Sequence, residues 1–169
     1  MFAISLIFSG IAMFLNGFLP IIDENDNNEI VIINVLSGLL ISILSIYGIF
    51  TAVDTATYLA YASLLLFAFT HLYIAAIGIW DFSEQTLGWL SALITVIVIA
   101  IALHYLLMGS LLLGIMWLIW MIIWLAYFIS RALDKLHRAS SWVIMLVGVI
   151  ALCGAGILLL TNTIGFIFI

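Results

Sequence analysis

Residues 111–131 read LLLGIMWLIWMIIWLAYFISR, and this stretch decides the fold class. It carries no charged side chain before Arg131, and about 20 apolar residues are enough for a helix to cross the hydrocarbon core of a bilayer. Extended or irregular backbone facing lipid would leave its peptide groups without hydrogen bonds. The stretch therefore predicts a membrane-spanning helix.

Five further segments have the same character, so we predict six spans at roughly 2–22, 30–50, 57–79, 86–107, 111–131 and 140–168. Of the 169 residues, 68% are hydrophobic and 7% are charged, whereas a soluble domain carries roughly 25% charged residues. The mean hydropathy is +1.47. We predict an all-α integral membrane protein in which residues 1–169 form a single six-helix bundle.

The charges exclude one class of partner and suggest an orientation. The net charge is −5, and the only basic side chains are Arg131, Lys135 and Arg138, too few to neutralise a run of phosphates, so nucleic-acid binding is excluded. All three lie between the fifth and sixth spans. Because cytoplasmic loops hold Lys and Arg, we predict that this loop is cytoplasmic, together with the loops at 23–29 and 80–85. Both termini are then outside.

Aromatic side chains form a stripe along the fifth span, at Trp117, Trp120, Trp124 and Tyr127. These positions fall within an arc of about 80° and climb about 15 Å along a helix. An interfacial aromatic belt lies at the headgroup level and does not account for that climb. The stripe indicates either a helix-packing seam or one wall of a path through the bundle, and the spacing alone favours neither.

The first span repeats this spacing with different chemistry, at Leu6, Ser9, Met13 and Asn16. An asparagine in a membrane helix is expected to bond to another helix or to a wet cavity. In the third span, Phe69 and Tyr73 lie one turn apart. His71 lies near the middle of that span, where an ionisable residue suggests a functional site. We favour the simpler interpretation of a neutral imidazole bonded to a neighbouring helix.

The sequence lacks the motifs of several enzyme classes. The sequence has no HExxH zinc pair, no GxSxG nucleophile motif and no pair of intramembrane aspartates, so we predict a protein that is not an enzyme and holds no metal or cofactor. Passive permeation and a structural role remain. His104 precedes Tyr105 at the outer end of the fourth span, where its protonation would respond to external pH.

Four stretches in order resemble the UreI/AmiS family of bacterial urea and short-chain amide channels. They are FSGIAMFLNG at 8–17, LLFAFTHLYIAA at 65–76, the His104–Tyr105 pair, and IMWLIWMIIWLAYF at 115–128. The first is similar to the family's first helix, the second to its third-helix motif, and the last to its tryptophan ladder. The resemblance covers nearly the whole chain.

This resemblance implies a passive channel for urea or a similar small neutral amide across the bacterial cytoplasmic membrane. It further implies one pore per protomer, a hexameric ring, and a cytoplasmic urease or amidase that consumes the solute. Ser9, Tyr73 and the indole N–H groups are the polar contacts expected for the permeant. The positions that match the family's pore are Leu6, Ser9, Met13, Phe69, Tyr73, Trp117, Trp120, Ile123 and Trp124, and Asn16 extends the same face of the first span.

Two positions depart from the family pattern, since Ile77 and Val147 are apolar where an asparagine and a glutamate are common. The segment between the second and third spans is short, with Asp54 its only charge. We therefore predict weak or absent acid gating, with His104 as the external sensor. The alternatives are a structural or accessory membrane subunit, or a channel for another small neutral solute such as water or ammonia.

Overall fold

The computed structural model describes residues 1–22 and 27–161, with only the backbone of residue 27. Most of these residues lie in helices, with short turns between them. The six predicted spans are confirmed. The helices are α1 Phe2–Ile21, α2 Asn27–Thr51, α3 Thr55–Trp80, α4 Glu84–Leu107, α5 Leu111–Tyr127 with a π-helical turn Phe128–Ala132, α6 His137–Val147 with a π-helical stretch Gly148–Cys153, and α7 Gly154–Leu160. The elements from α6 to α7 together form the sixth span, His137–Leu160.

The helix ends differ from the predicted ones by a few residues. Spans two and six each begin three residues earlier than predicted, at Asn27 and His137. The predicted end of the sixth span at 168 lies outside the described residues, as does most of the predicted loop at 23–29. The extra residues at these two helix starts are mostly polar, which suits a first turn, whose N–H groups have no partner within the helix.

The helices are arranged as a ring in chain order. Each of α1 to α5 packs against the next, and the sixth span packs against both α5 and α1, which closes the ring. The contact between α3 and α4 is the thinnest, and α1 also reaches across to α3. The outer surface is covered by apolar side chains such as Ile43, Phe50 and Leu107, which suits contact with lipid.

Side-chain caps begin two of the helices. Asp54 precedes α3 and accepts hydrogen bonds from the Thr57 backbone N–H (2.7 Å) and the Thr57 hydroxyl (2.9 Å). Ser83 precedes α4 and accepts one from the backbone N–H of Thr86 at 3.3 Å. The Thr57 N–H favours the charged form of the carboxylate, so it lowers the pKa of Asp54 below its ordinary value. Asp54 therefore stays charged in mild acid.

A close helix contact joins α1 to the sixth span through glycines. A Cβ atom added at Gly10 would lie 2.5 Å from the Cys153 Sγ and 2.6 Å from the backbone oxygen of Gly148. Small residues at such positions let membrane helices approach closely and gain van der Waals contact. Gly154, on the same span, is different, since its added Cβ would meet nothing nearer than 3.8 Å.

Gly10→Ala is expected to destabilise the protein by about 1–2 kcal/mol, because the new methyl group would push against backbone that has no room to move. Chemical unfolding of the detergent-solubilised protein measures this. The matched control is Gly154→Ala, which is expected to be neutral. Equal unfolding midpoints for both variants would contradict the close packing of α1 on the sixth span.

Candidate permeation path

Three tryptophans of α5 and one phenylalanine of α3 form an aromatic cluster in the centre of the ring. The ring centroid of Phe67 lies 4.5 Å from that of Trp124, 6.0 Å from that of Trp120 and 6.2 Å from that of Trp117. Trp117 and Trp120 meet edge to face at 5.1 Å. All four side chains are buried. We call Phe67, Trp117, Trp120 and Trp124 the aromatic cluster.

The predicted face of α1 packs against this cluster. Leu6 and Met13 belong to the same hydrophobic core as the tryptophans, as does Ile123 of α5, and Ser9 is buried beside them. The structure thus brings seven of the predicted residues together. Because their exposed fractions are at most 1%, a water-sized sphere does not reach them. Passage of a solute through this layer therefore requires side chains to rotate.

The structure does not bring Phe69 and Tyr73 into this lining. Phe69 is 62% exposed, and both side chains line an outer groove of about 420 Å³ between α3 and α4. The Tyr73 hydroxyl donates to the backbone oxygen of Ser83 at 3.4 Å. Residues two apart on a helix differ by about 200°, so the inward pair is Phe67 and His71. The two pairs share one motif, so the spacing of residues does not separate them.

A chain of polar side chains runs beside the aromatic cluster and links α1, α2 and α3. Ser9 Oγ lies 2.9 Å from His71 Nε2, and His71 Nδ1 lies 2.8 Å from Asn34 Oδ1. Asn34 and Asn16 exchange two amide hydrogen bonds, at 2.6 and 3.1 Å. We call Ser9, His71, Asn34 and Asn16 the polar chain. The expectation that His71 bonds to neighbouring helices is confirmed.

Two of the indole N–H groups are already used within the protein. Trp124 Nε1 donates to the Thr70 hydroxyl at 2.8 Å. Trp120 Nε1 donates to the backbone oxygen of Ala151 at 3.3 Å, within the π-helical stretch of the sixth span. A π-helical stretch disturbs the regular ladder of helix hydrogen bonds, and such stretches are frequent at functional sites. In this conformation the indole N–H groups of Trp120 and Trp124 are therefore engaged within the protein, and their contact with a permeant stays a prediction.

A cavity of about 570 Å³, which we call the vestibule, opens at the end of the ring where α3 ends and α4 begins. Asn16 of the polar chain reaches it, and Ile77 forms part of its apolar wall. Arg131 pairs with Glu84 at its rim. The further lining residues include Pro20, Ile74, Gly78, Trp80, Asp81, Phe82, Leu87 and Tyr127.

The polar chain and the aromatic cluster both lie further along the ring axis than the vestibule. On α3, Ile74 lines the vestibule, His71 lies one turn further in, and Phe67 lies one turn beyond it. On α5, Tyr127 lines the vestibule and the tryptophans follow over about 15 Å. The three regions thus lie along the interior of the ring, and only the vestibule is open in this conformation.

Two of the sequence observations fall outside this route. His104 is exposed near the opposite end of α4, with its ring 5.8 Å from that of Tyr105, and its predicted role as a pH sensor stays a prediction. Val147 is partly buried against the hydrophobic core.

Asn34 was not among the residues predicted from the sequence. It is a single polar residue near the start of a long apolar span, and nothing in its spacing marks it.

Comparison with known proteins places the chain in a family. The model of the AmiS/UreI family transporters matches residues 1–163. The chain belongs to this family. It is 24% identical over 148 residues to the putative transporter protein AmiS2 of Rhodococcus erythropolis, covering 85% of this chain and 71% of that protein. It is 30% identical over 100 residues to a putative amidate substrates transporter protein of Mycolicibacterium smegmatis, covering 57% of this chain and 47% of that protein.

The fold is shared with solved structures of the urea channel of Helicobacter pylori. The crystal structure aligns with a TM-score of 0.85 at 22% identity, covering 96% of this chain and 99% of that chain. An electron cryomicroscopy structure of that channel in a closed state aligns with a TM-score of 0.83 at 20% identity, with the same coverage. The AmiS/UreI chain described here is therefore a multi-pass membrane protein with the urea-channel fold.

Proposed function

We propose that the chain is a passive channel for urea or a similar small neutral amide in a bacterial cytoplasmic membrane. One observation carries the proposal. Beyond an open vestibule lie neutral polar side chains and buried aromatic rings, and neither the polar chain nor the aromatic cluster contains a charged group. The relatives named for amidate substrates and for urea support the choice of solute class.

Such a route suits flat, neutral, polar molecules. A urea molecule can slide between aromatic faces while it exchanges hydrogen bonds with a few neutral groups. An ion would lose its hydration shell without compensation, which costs far more than the loss of a few neutral hydrogen bonds. Weak sites also let the solute leave, which a channel requires. No reaction is needed for this function, so we propose transport without catalysis.

The orientation in the membrane, the oligomeric state and a partner enzyme follow from the same proposal. The three basic residues cluster at the vestibule end of the ring, which we propose faces the cytoplasm, so that both termini lie outside. We propose one pore per protomer and a ring of several protomers, six by resemblance to the family. A cytoplasmic urease or amidase would consume the incoming solute and maintain its gradient.

Solute entry into proteoliposomes tests the function. Stopped-flow light scattering should report faster entry of urea and acetamide than into empty liposomes of the same lipid, and no faster entry of sodium or methylammonium. If only water or ammonia entered faster, the alternative of a different cargo would replace the amide channel. Entry equal to that of empty liposomes for every solute would favour an accessory subunit.

External acid is expected to change urea entry by less than about twofold between about pH 7 and about pH 5. The pKa of Asp54 is lowered by the Thr57 N–H, so its folded-state carboxylate stays charged below the ordinary pKa. The cap is then lost only as the pH falls through that lowered value. Urea entry measured at several external pH values checks this. A steep acid activation that His104→Gln abolishes would contradict it and make His104 a gate.

A further inference from the structure

His71 occupies the turn of α3 between the vestibule and the aromatic cluster. Its neighbour Phe67, one turn away on the same face, contacts all three tryptophans of the cluster. Ile74, on the other side, lines the vestibule. The His71 side chain is 0% exposed. A solute that moves from the vestibule towards Phe67 along α3 therefore passes this imidazole.

The partners of His71 determine which ring nitrogen carries the hydrogen. Asn34 Nδ2 donates both of its hydrogens, to Asn16 Oδ1 at 2.6 Å and to the backbone oxygen of Ile30 at 2.8 Å. The atom that faces His71 Nδ1 is therefore the Asn34 Oδ1, which only accepts. Nδ1 must then carry the hydrogen, and Nε2 of the neutral ring presents a lone pair.

Nε2 is an acceptor whose present partner is replaceable. The Ser9 hydroxyl lies 2.9 Å away and donates to it. A serine hydroxyl in a helix can instead rotate to donate to the backbone oxygen four residues earlier, here that of Ser5. By contrast, the indole N–H of Trp124 is held by the Thr70 hydroxyl and that of Trp120 by the sixth span.

We propose that His71 Nε2 is a hydrogen-bond acceptor for the permeant, and that it selects solutes carrying an amide N–H. The Ser9 hydroxyl turns away as the N–H of the solute arrives. Asn34 is a positioning residue, because it holds the ring with Nε2 as the acceptor. This inference rests on the proposed amide channel and adds that the channel recognises the N–H group of the solute.

Three isomers of one molecular formula test this without a difference in size. Propionamide has two N–H groups, N-methylacetamide has one, and N,N-dimethylformamide has none. After subtraction of the entry into empty liposomes, propionamide is expected to enter about tenfold faster than N,N-dimethylformamide, which corresponds to about 1.4 kcal/mol. N-methylacetamide should lie between them. Equal permeability for the three isomers overturns the proposal.

Variants assign the preference to the imidazole. His71→Phe keeps a flat ring and removes the acceptor, so the isomer ratio should fall to within about twofold of unity, as expected for loss of a single hydrogen bond. The matched control is His104→Phe, which removes an exposed histidine at the far end of α4 and should keep the full ratio. A full ratio in His71→Phe would overturn the assignment.

The ring nitrogens can also be examined without changing His71, which guards against misfolding of the variant. The chain has three histidines, so a His104→Gln, His137→Gln background leaves one. Its ¹⁵N spectrum in liposomes should show a protonated Nδ1 and an unprotonated Nε2, and the opposite tautomer overturns the proposal. If no isomer enters faster than into empty liposomes, the proposed channel function fails; if all enter equally, only the selection by His71 fails.

Discussion

Trp124→Ala is expected to lower the free energy of unfolding by about 3–5 kcal/mol, the largest effect of any single change considered. The Trp124 side chain is fully buried, its ring centroid is 4.5 Å from that of Phe67, and its indole donates to the Thr70 hydroxyl. Alanine would leave a cavity and remove that donor. Chemical unfolding of the detergent-solubilised protein measures the loss.

The same variant should also change what the channel admits. With the indole removed, the aromatic cluster loses one of its four rings, so glycerol should enter proteoliposomes faster relative to urea than it does with the unmodified protein. The matched control is Trp142→Ala, since Trp142 is 44% exposed on α6 and should affect neither property strongly. A loss of stability with no change in any solute flux would support the packing-seam interpretation and the accessory-subunit alternative.

Asn34→Leu is expected to destabilise the protein by about 2–4 kcal/mol, because it removes the partner of two buried polar side chains at about 1–2 kcal/mol each. Asn16 on α1 would lose two hydrogen bonds and His71 on α3 would lose one, all away from water. The unfolding midpoint in detergent reports this change. In a membrane the penalty stays modest when unpaired groups find other partners, which sets the lower end of the range.

Ser45→Ala on the same helix is the control for Asn34→Leu. Ser45 Oγ is buried, and within the described residues it has no hydrogen-bond partner. Removing it should leave stability unchanged or raise it slightly, since an unsatisfied hydroxyl is costly. If Ser45→Ala and Asn34→Leu lowered the midpoint equally, the polar chain would not be what holds α1, α2 and α3 together.

The amino-acid sequence predicted the spans because the bilayer imposes a length and a composition that are visible in every segment. It also predicted the inward faces of α1 and α5, where a polar or aromatic stripe follows the helical period. On α3 it failed, because Phe67, Phe69, His71 and Tyr73 give two aromatic or polar faces within seven residues. Only the packing of neighbouring helices decides which of the two turns inward.

Other parts of the path leave no trace in the spacing of residues. The Ala151 carbonyl that holds Trp120 is a backbone group in a π-helical stretch, and no side chain marks it. Asn34 matters because of partners on two other helices. Ile77, in contrast, was noted as an apolar departure from the family pattern, and the structure places it in the vestibule wall.

Blocking the vestibule tests most directly whether the solute travels through the interior of each chain. In a Cys153→Ser background, which removes the single natural thiol, Ile77→Cys would place a thiol in the vestibule. Phe69→Cys, on the outer groove, is the control. Labelling with a bulky neutral methanethiosulfonate should lower urea entry about tenfold or more in Ile77→Cys only, as expected for a blocked narrow pore. Unchanged entry after complete labelling of Ile77→Cys, or equal loss in both variants, would contradict the path described.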